Sequence, residues 1–174
     1  MPTPSRTSLR AITAAGERIL ETHGLRGLTM QAVAQAVGVK APSLYKHVAD
    51  RDALVSLVAD AAAIDLSTHL AGEDGLPALA RALRAWATAH PQRFALVFSG
   101  QGSPEVAAAA GAPLLKAARA LVGPADKLSG ARLVTAWATG FISMELAGAF
   151  QLGGDVDEAF EYGIERLTAA LRTG

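Results

Sequence analysis

Residues 29–51 read TMQAVAQAVGVKAPSLYKHVADR, and this stretch decides the fold. Thr29 can cap a helix by accepting a hydrogen bond from a backbone N–H one turn on. Leu28 and Val33 stand at the two positions of a hydrophobic staple. Met30, Val33, Ala34 and Val37 recur at helical spacing. Gly38 follows, and glycine accepts the left-handed conformation just past a helix end. A second short helix is predicted at once, with Pro42 in its first turn, where a missing N–H costs nothing. Ala34 is small enough for two helices to cross closely, and Val39 and Leu44 pin the second helix on the first. Helix, glycine turn, helix at this spacing is the pattern whose second helix lies in the major groove of DNA. Lys40, Ser43, Tyr45, Lys46 and His47 are left over once the core positions are filled. They are donors, an aromatic and cations, suited to phosphates and base edges.

The charge distribution agrees. The 174 residues carry 16 Lys/Arg and 16 Asp/Glu, so the formal net charge is zero. Residues 1–51, however, hold seven Lys/Arg against three acids, and the remainder nine against thirteen. A basic head on an acidic body is expected where only the head meets phosphate.

Working outward, a helix is expected from about Ser8 to His23, buried along Leu9, Ile12, Gly16, Ile19 and Leu20 and ended by Gly24. Residues 1–7 read as a disordered tail, from which Arg6, with Arg10 beyond it, can reach the DNA or simply stay solvated. Asp50 should cap a fourth helix running to about Leu70, with Leu54, Leu57, Val58, Ile64 and Leu66 along it. Arg51 at its start suits a phosphate. The turn at residues 71–75 is the practical break between head and body. Further helices are expected from Pro77 to His90, Pro91 to Ser99, and Ser103 to about Val122 with a break near Gly111 and Pro113. A long helix from Lys127 to Leu152 and a last one capped by Asp155 and Glu158 complete the chain.

Composition excludes much else. Hydrophobic residues make up 51% and aromatics 5%, with no alternating β-branched runs, so no sheet is expected. There is no Cys, hence no disulfide framework or thiolate metal site. No signal peptide is read at the start, and no run reaches about 18 uninterrupted apolar residues, so a cytoplasmic location is expected. There is no paired-carboxylate motif, phosphate loop or HExxH, and the four His are scattered. A small helical enzyme or ligand carrier is therefore the weaker reading, and neither metal nor cofactor is expected.

The head resembles the DNA-binding domain of the TetR family of bacterial transcriptional regulators. The matching residues are Ile19, Gly24, Thr29, Ala34, Gly38, Val39, Leu44, Tyr45, His47, Arg51 and Leu54. Residues 82–98, ALRAWATAHPQRFALVF, resemble a common form of the family's body. GFISMELAGAF and DVDEAFEYGIERL resemble the last two helices of a subgroup named after a Trp-His-Gly motif, with Thr139 where that subgroup often has His. The resemblance implies an all-α fold: a three-helix helix-turn-helix domain at 1–51 and a helical ligand-binding and dimerisation domain at 52–174. It implies a homodimeric repressor on a palindromic operator in double-stranded DNA, released by a small hydrophobic ligand. A regulator without such an effector is the alternative. Lys40, Ala41, Ser43 and Tyr45 would face the groove, and Thr29, Lys46, His47 and Arg51 would hold phosphates, although His47 can equally pack inward. Candidate effector contacts are Trp86, His90, Phe94, Phe98, Trp137, Thr139, Phe141 and Met144. Gly140, Ala147, Gly148, Phe160, Ile164 and Leu167 are the expected dimer contacts. Glu145, an acid in an apolar run, can pair across a dimer, reach solvent or meet a cationic ligand.

Overall fold

A computed structural model describes residues 8–172; the tail at 1–7, with Arg6, lies outside them. The described residues form nine helices and no strand. They are α1 (Leu9–Gly27), α2 (Met30–Val37), α3 (Ala41–Leu44), α4 (Arg51–Leu70), α5 (Gly75–Ala89), α6 (Pro91–Val97), α7 (Pro104–Ala110), α8 (Ala112–Leu146) and α9 (Val156–Arg172). They fall into two compact units: residues 8–65 with His90–Ala107, and Leu66–Ala89 with residues 108–172. Thus α6, which the sequence reading gives to the body, belongs to the first unit.

Local chemistry explains the first unit's breaks. Ser8 Oγ accepts from Ala11 N at 3.2 Å and starts α1. Gly24 has φ 65° and ψ −178°, a conformation that penalises a Cβ, so α1 bends there and resumes for one turn. The core is built from Ile12, Leu20, Leu28, Val33, Leu44, Leu54, Val55 and Val58, each at most 1% exposed. Burying each such side chain stabilises by roughly 1.5–3 kcal/mol. Gly16 lets α1 and α4 meet: a Cβ there would stand 2.6 Å from Val58 Cγ2. Leu9 and Ile64, expected inside, are 50% and 56% exposed. Helix α4 is long and apolar enough to cross a membrane by composition, yet Leu54, Val55, Val58 and Ala59 lie in this core.

Helix α6 is held to α1 and α4. The amides of Gln92 and Arg93 donate to the Glu21 carboxylate at 3.3 and 3.1 Å, closing the free N-terminus of α6. The Arg93 guanidinium stands 3.5–3.7 Å from Glu17, Glu21 and Asp65. Ahead of α7, the Ser103 hydroxyl and amide donate to Asp60 at 2.9 and 2.7 Å.

In the second unit α5, α8 and α9 pack together. Helix α8 is interrupted at Gly123, followed by Pro124, where the sequence reading places a gap between two helices. It stops at Leu146, not Leu152. Gly148 (φ 65°) and Ala149 donate backwards to Glu145 and Met144, which satisfies the last carbonyls. Trp137, Phe141, Phe150 and Phe160 form a chain of ring contacts with centroids 4.7–5.7 Å apart. Phe160 and Ile164 are corrections to the expected interface. Both are 0% exposed within one chain and have no surface to offer a partner.

Glu145 has a partner of its own. Arg84 donates to both its carboxylate oxygens at 2.8 and 2.5 Å, and reaches Asp157 at 2.6 Å. These carboxylates, Glu145 first, hold the Arg84 guanidinium above its ordinary pKa against the opposing effect of burial. Arg81 grips Glu161 through both oxygens and lowers its pKa. That pair is present at neutral pH and lost on acidification, and its exposure keeps its contribution small.

Candidate nucleic-acid interface

The expected reading element is assembled as a rigid turn between two buried anchors. Thr29 Oγ1 accepts from Ala32 N at 3.1 Å, so α2 begins at its cap. Gly38 is left-handed (φ 74°, ψ 34°). Its amide donates to Gln35 at 3.1 Å and that of Val39 to Ala34 at 2.9 Å, the paired bonds of a glycine-terminated helix. The chain then turns into α3, a single turn with Pro42 near its start. Tyr45, Lys46 and His47 continue it as a hydrogen-bonded turn, in which the amides of His47 and Val48 donate to Leu44 at 2.9 and 3.0 Å.

Leu44 and Val48 are 0% and 4% exposed, so the element's inner side is fixed in the core. Its outer side carries Lys40, Tyr45, Lys46 and His47, all exposed, with Tyr45 at 53%. Ala41 and Ser43 are half-buried beside them. The result is two ammonium groups, an imidazole and a phenol on one short surface, without a carboxylate between them. Such a set can donate to phosphates and to guanine O6 or N7, and present a ring to a thymine methyl. His47 is exposed and does not pack inward.

Thr29 keeps its hydroxyl hydrogen to donate, since its oxygen only accepts from the cap amide. Arg51 is differently placed. Its Nε donates to the Leu28 carbonyl at 3.0 Å and its Nη2 to the Leu25 carbonyl at 2.8 Å. Neither bond has a signal in the sequence, because each joins residues 23 or more positions apart.

The candidate effector contacts are distributed over both units. His90, Phe94 and Phe98 belong to the first, where the two rings touch at 5.1 Å. Trp86, Trp137, Thr139, Phe141 and Met144 belong to the second. Trp86 and Phe94 are each 3% exposed, whereas Met144 is 48% exposed. Thr139 donates its hydroxyl to the Thr135 carbonyl at 2.7 Å.

Comparison with known proteins follows the same division. A family model described as bacterial regulatory proteins, tetR family, matches residues 12–58. One described as tetracyclin repressor-like, C-terminal domain, matches residues 76–167. The chain is 34% identical over 103 residues to HTH-type transcriptional regulator Rv1816 of Mycobacterium tuberculosis, a match covering 53% of this chain and 43% of that protein. It thus spans less than half the length of that curated relative. Among solved structures, putative regulatory protein SCO4313 superposes with a TM-score of 0.78 at 28% identity, covering 96% of this chain and 98% of that one. BioQ with its natural double-stranded DNA operator superposes at 0.73, also 28% identical, covering 96% and 99%.

Proposed function

Because the chain belongs to the TetR family of bacterial regulators, we propose that it represses transcription by binding a palindromic DNA operator as a homodimer, and that a small hydrophobic ligand releases it. The observation that carries the DNA half is the two-sided reading element. Leu44 and Val48 are locked in the core while Lys40, Tyr45, Lys46 and His47 stand outside. BioQ, similar along nearly the whole chain, has been solved on a DNA operator, which supports the same use here.

The dimer half rests on α8. Leu133, Gly140, Met144 and Ala147 follow one another at helical spacing and are all exposed, Leu133 at 47% and Met144 at 48%. An apolar stripe on the outside of a single chain favours a second copy, and the bare glycine allows close approach. Gly148 follows Ala147 as a further exposed position, and half-buried Leu167 of α9 joins the proposed contacts. Twofold symmetry would set two reading elements about 34–36 Å apart, or a multiple of that, on one face of the duplex.

Binding to a library of random duplexes, with recovered sites sequenced and affinity followed against salt, tests this directly. A palindrome should be enriched, and affinity should fall steeply as salt rises. No enriched site at low salt, with the protein folded, would overturn the repressor reading.

The effector has a competing reading, a regulator without one. The ring cluster of Trp137, Phe141, Phe150 and Phe160 favours it, since these side chains already fill one another's space. A thermal-shift screen against small apolar compounds separates the two. A ligand at 100 times its Kd should stabilise by about 2.7 kcal/mol and lower operator affinity. A screen in which no compound does both favours the effector-free regulator.

A further inference from the structure

We propose that Arg51 is a positioning residue: its forked guanidinium closes the helix-turn-helix into a ring and holds the reading element in place, instead of gripping a phosphate. The consequence for DNA rests on the repressor reading above; the ring itself does not.

The bend at Gly24 separates residues 25–27 from the rest of α1, and Leu28 then leads into the Thr29 cap of α2. Carbonyls at such a break lack regular helical donors. The Leu25 carbonyl receives the Leu28 amide at a long 3.3 Å. Arg51 supplies a donor to each end of this short connection, Nη2 to Leu25 at 2.8 Å and Nε to Leu28 at 3.0 Å. Between Leu28 and Arg51 lie α2, the Gly38 turn, α3 and the exposed cations. Both ends of the reading element are thereby joined.

The Arg51 backbone is itself fixed. Asp50 Oδ1 accepts from Ala53 N at 2.8 Å, and the Leu54 amide donates to the Asp50 carbonyl at 3.1 Å. Leu28 is 0% exposed, so the carbonyl that Nε meets is anchored by its own side chain. Two parallel donors in one rigid plane are a property of guanidinium; a lysine ammonium is a single point on a flexible stem. The Leu25 and Leu28 carbonyls also put partial negative charge where a phosphate oxygen would have to compete.

Full-length Arg51→Lys and Arg51→Met separate the two roles. Three quantities are measured: amide hydrogen exchange across residues 25–51, affinity for the recovered operator, and the slope of log affinity against log salt. For the ring, exchange should quicken on the order of tenfold in both variants, as expected for loss of a charge-assisted hydrogen bond. Operator affinity should fall on the order of tenfold in both with the salt slope unchanged, because no phosphate contact is removed.

If Arg51→Lys matches the wild type while Arg51→Met loses about one unit of slope per protomer, Arg51 is a phosphate contact and the proposal falls. Unaltered exchange in both variants overturns it equally. Should Arg51→Met fail to fold, Arg51→Lys decides alone, since it keeps the charge and most of the bulk. Should the wild type select no operator, the repressor reading fails, and the exchange measurement still decides the ring.

Discussion

Replacing Phe160 with alanine is expected to lower the unfolding free energy by about 3–5 kcal/mol, the range for emptying a fully buried aromatic site. The ring is 0% exposed and stands against Trp137 at 5.2 Å and Phe141 at 5.3 Å. The Arg84 guanidinium lies 4.9 Å above it. Three partners on α5 and α8 thus lose one common contact. The site has little freedom to collapse, because Gly163, one turn on, already lies against the Trp137 ring. Arg84 is held by Glu145 and Asp157 and cannot move into the space without giving up those bonds. Urea unfolding followed by far-ultraviolet circular dichroism at fixed protein concentration measures the loss. A change below about 1 kcal/mol would mean that the ring is not a core element of the single chain, and would return Phe160 to the dimer interface where the sequence reading puts it.

That reassignment shows what the sequence carried and what it did not. The Thr29 cap, the Gly38 turn, the bend at Gly24 and the break before Pro124 are all backbone events caused by the residue that marks them. They can be read without a fold. The buried side of α3 and the turn after it was also legible, because Leu44 and Val48 are apolar residues in a polar stretch. Sidedness in apolar helices was not. Periodicity marks Leu9 and Ile64 as readily as Ile12 and Val58, and only packing separates the exposed pair from the buried one.

The same reason extended the long helix to Leu152. Phe150 and Leu152 continue the apolar pattern, yet Gly148 ends the helix, and Leu152 is fully exposed in the loop beyond. A glycine signal was present and was outweighed by hydrophobicity. Polar pairings across long separations left no trace at all. Glu145 stood out as an unexplained acid, but its partner is 61 residues away, and Arg51 finds its carbonyls 23 and 26 residues back. Sequence can show that a charge needs a partner; the fold must be known before the partner has a name.

The double substitution Tyr45→Ala with Lys46→Ala should have the largest effect on DNA. Each side chain is exposed on the outer side of the proposed reading element, and their neighbours Leu44 and Val48 anchor the inner side. A good contact to a base edge contributes about 1–3 kcal/mol, so removing two from each protomer should weaken operator binding by roughly 30- to 10⁴-fold per half-site. Folding stability should move by no more than about 0.5 kcal/mol, since neither side chain is buried. Lys46→Ala alone should also lower the salt slope by about one per protomer if its ammonium meets a phosphate, and should relax base preference with the slope intact if it reads guanine. Titration of the selected operator at several salt concentrations, beside a thermal melt of each variant, gives both quantities. If the double variant binds within about threefold of the wild type, when two contacts should cost at least about thirtyfold even at one half-site, this element does not read DNA. The basic residues elsewhere in the first unit would then have to carry the contact.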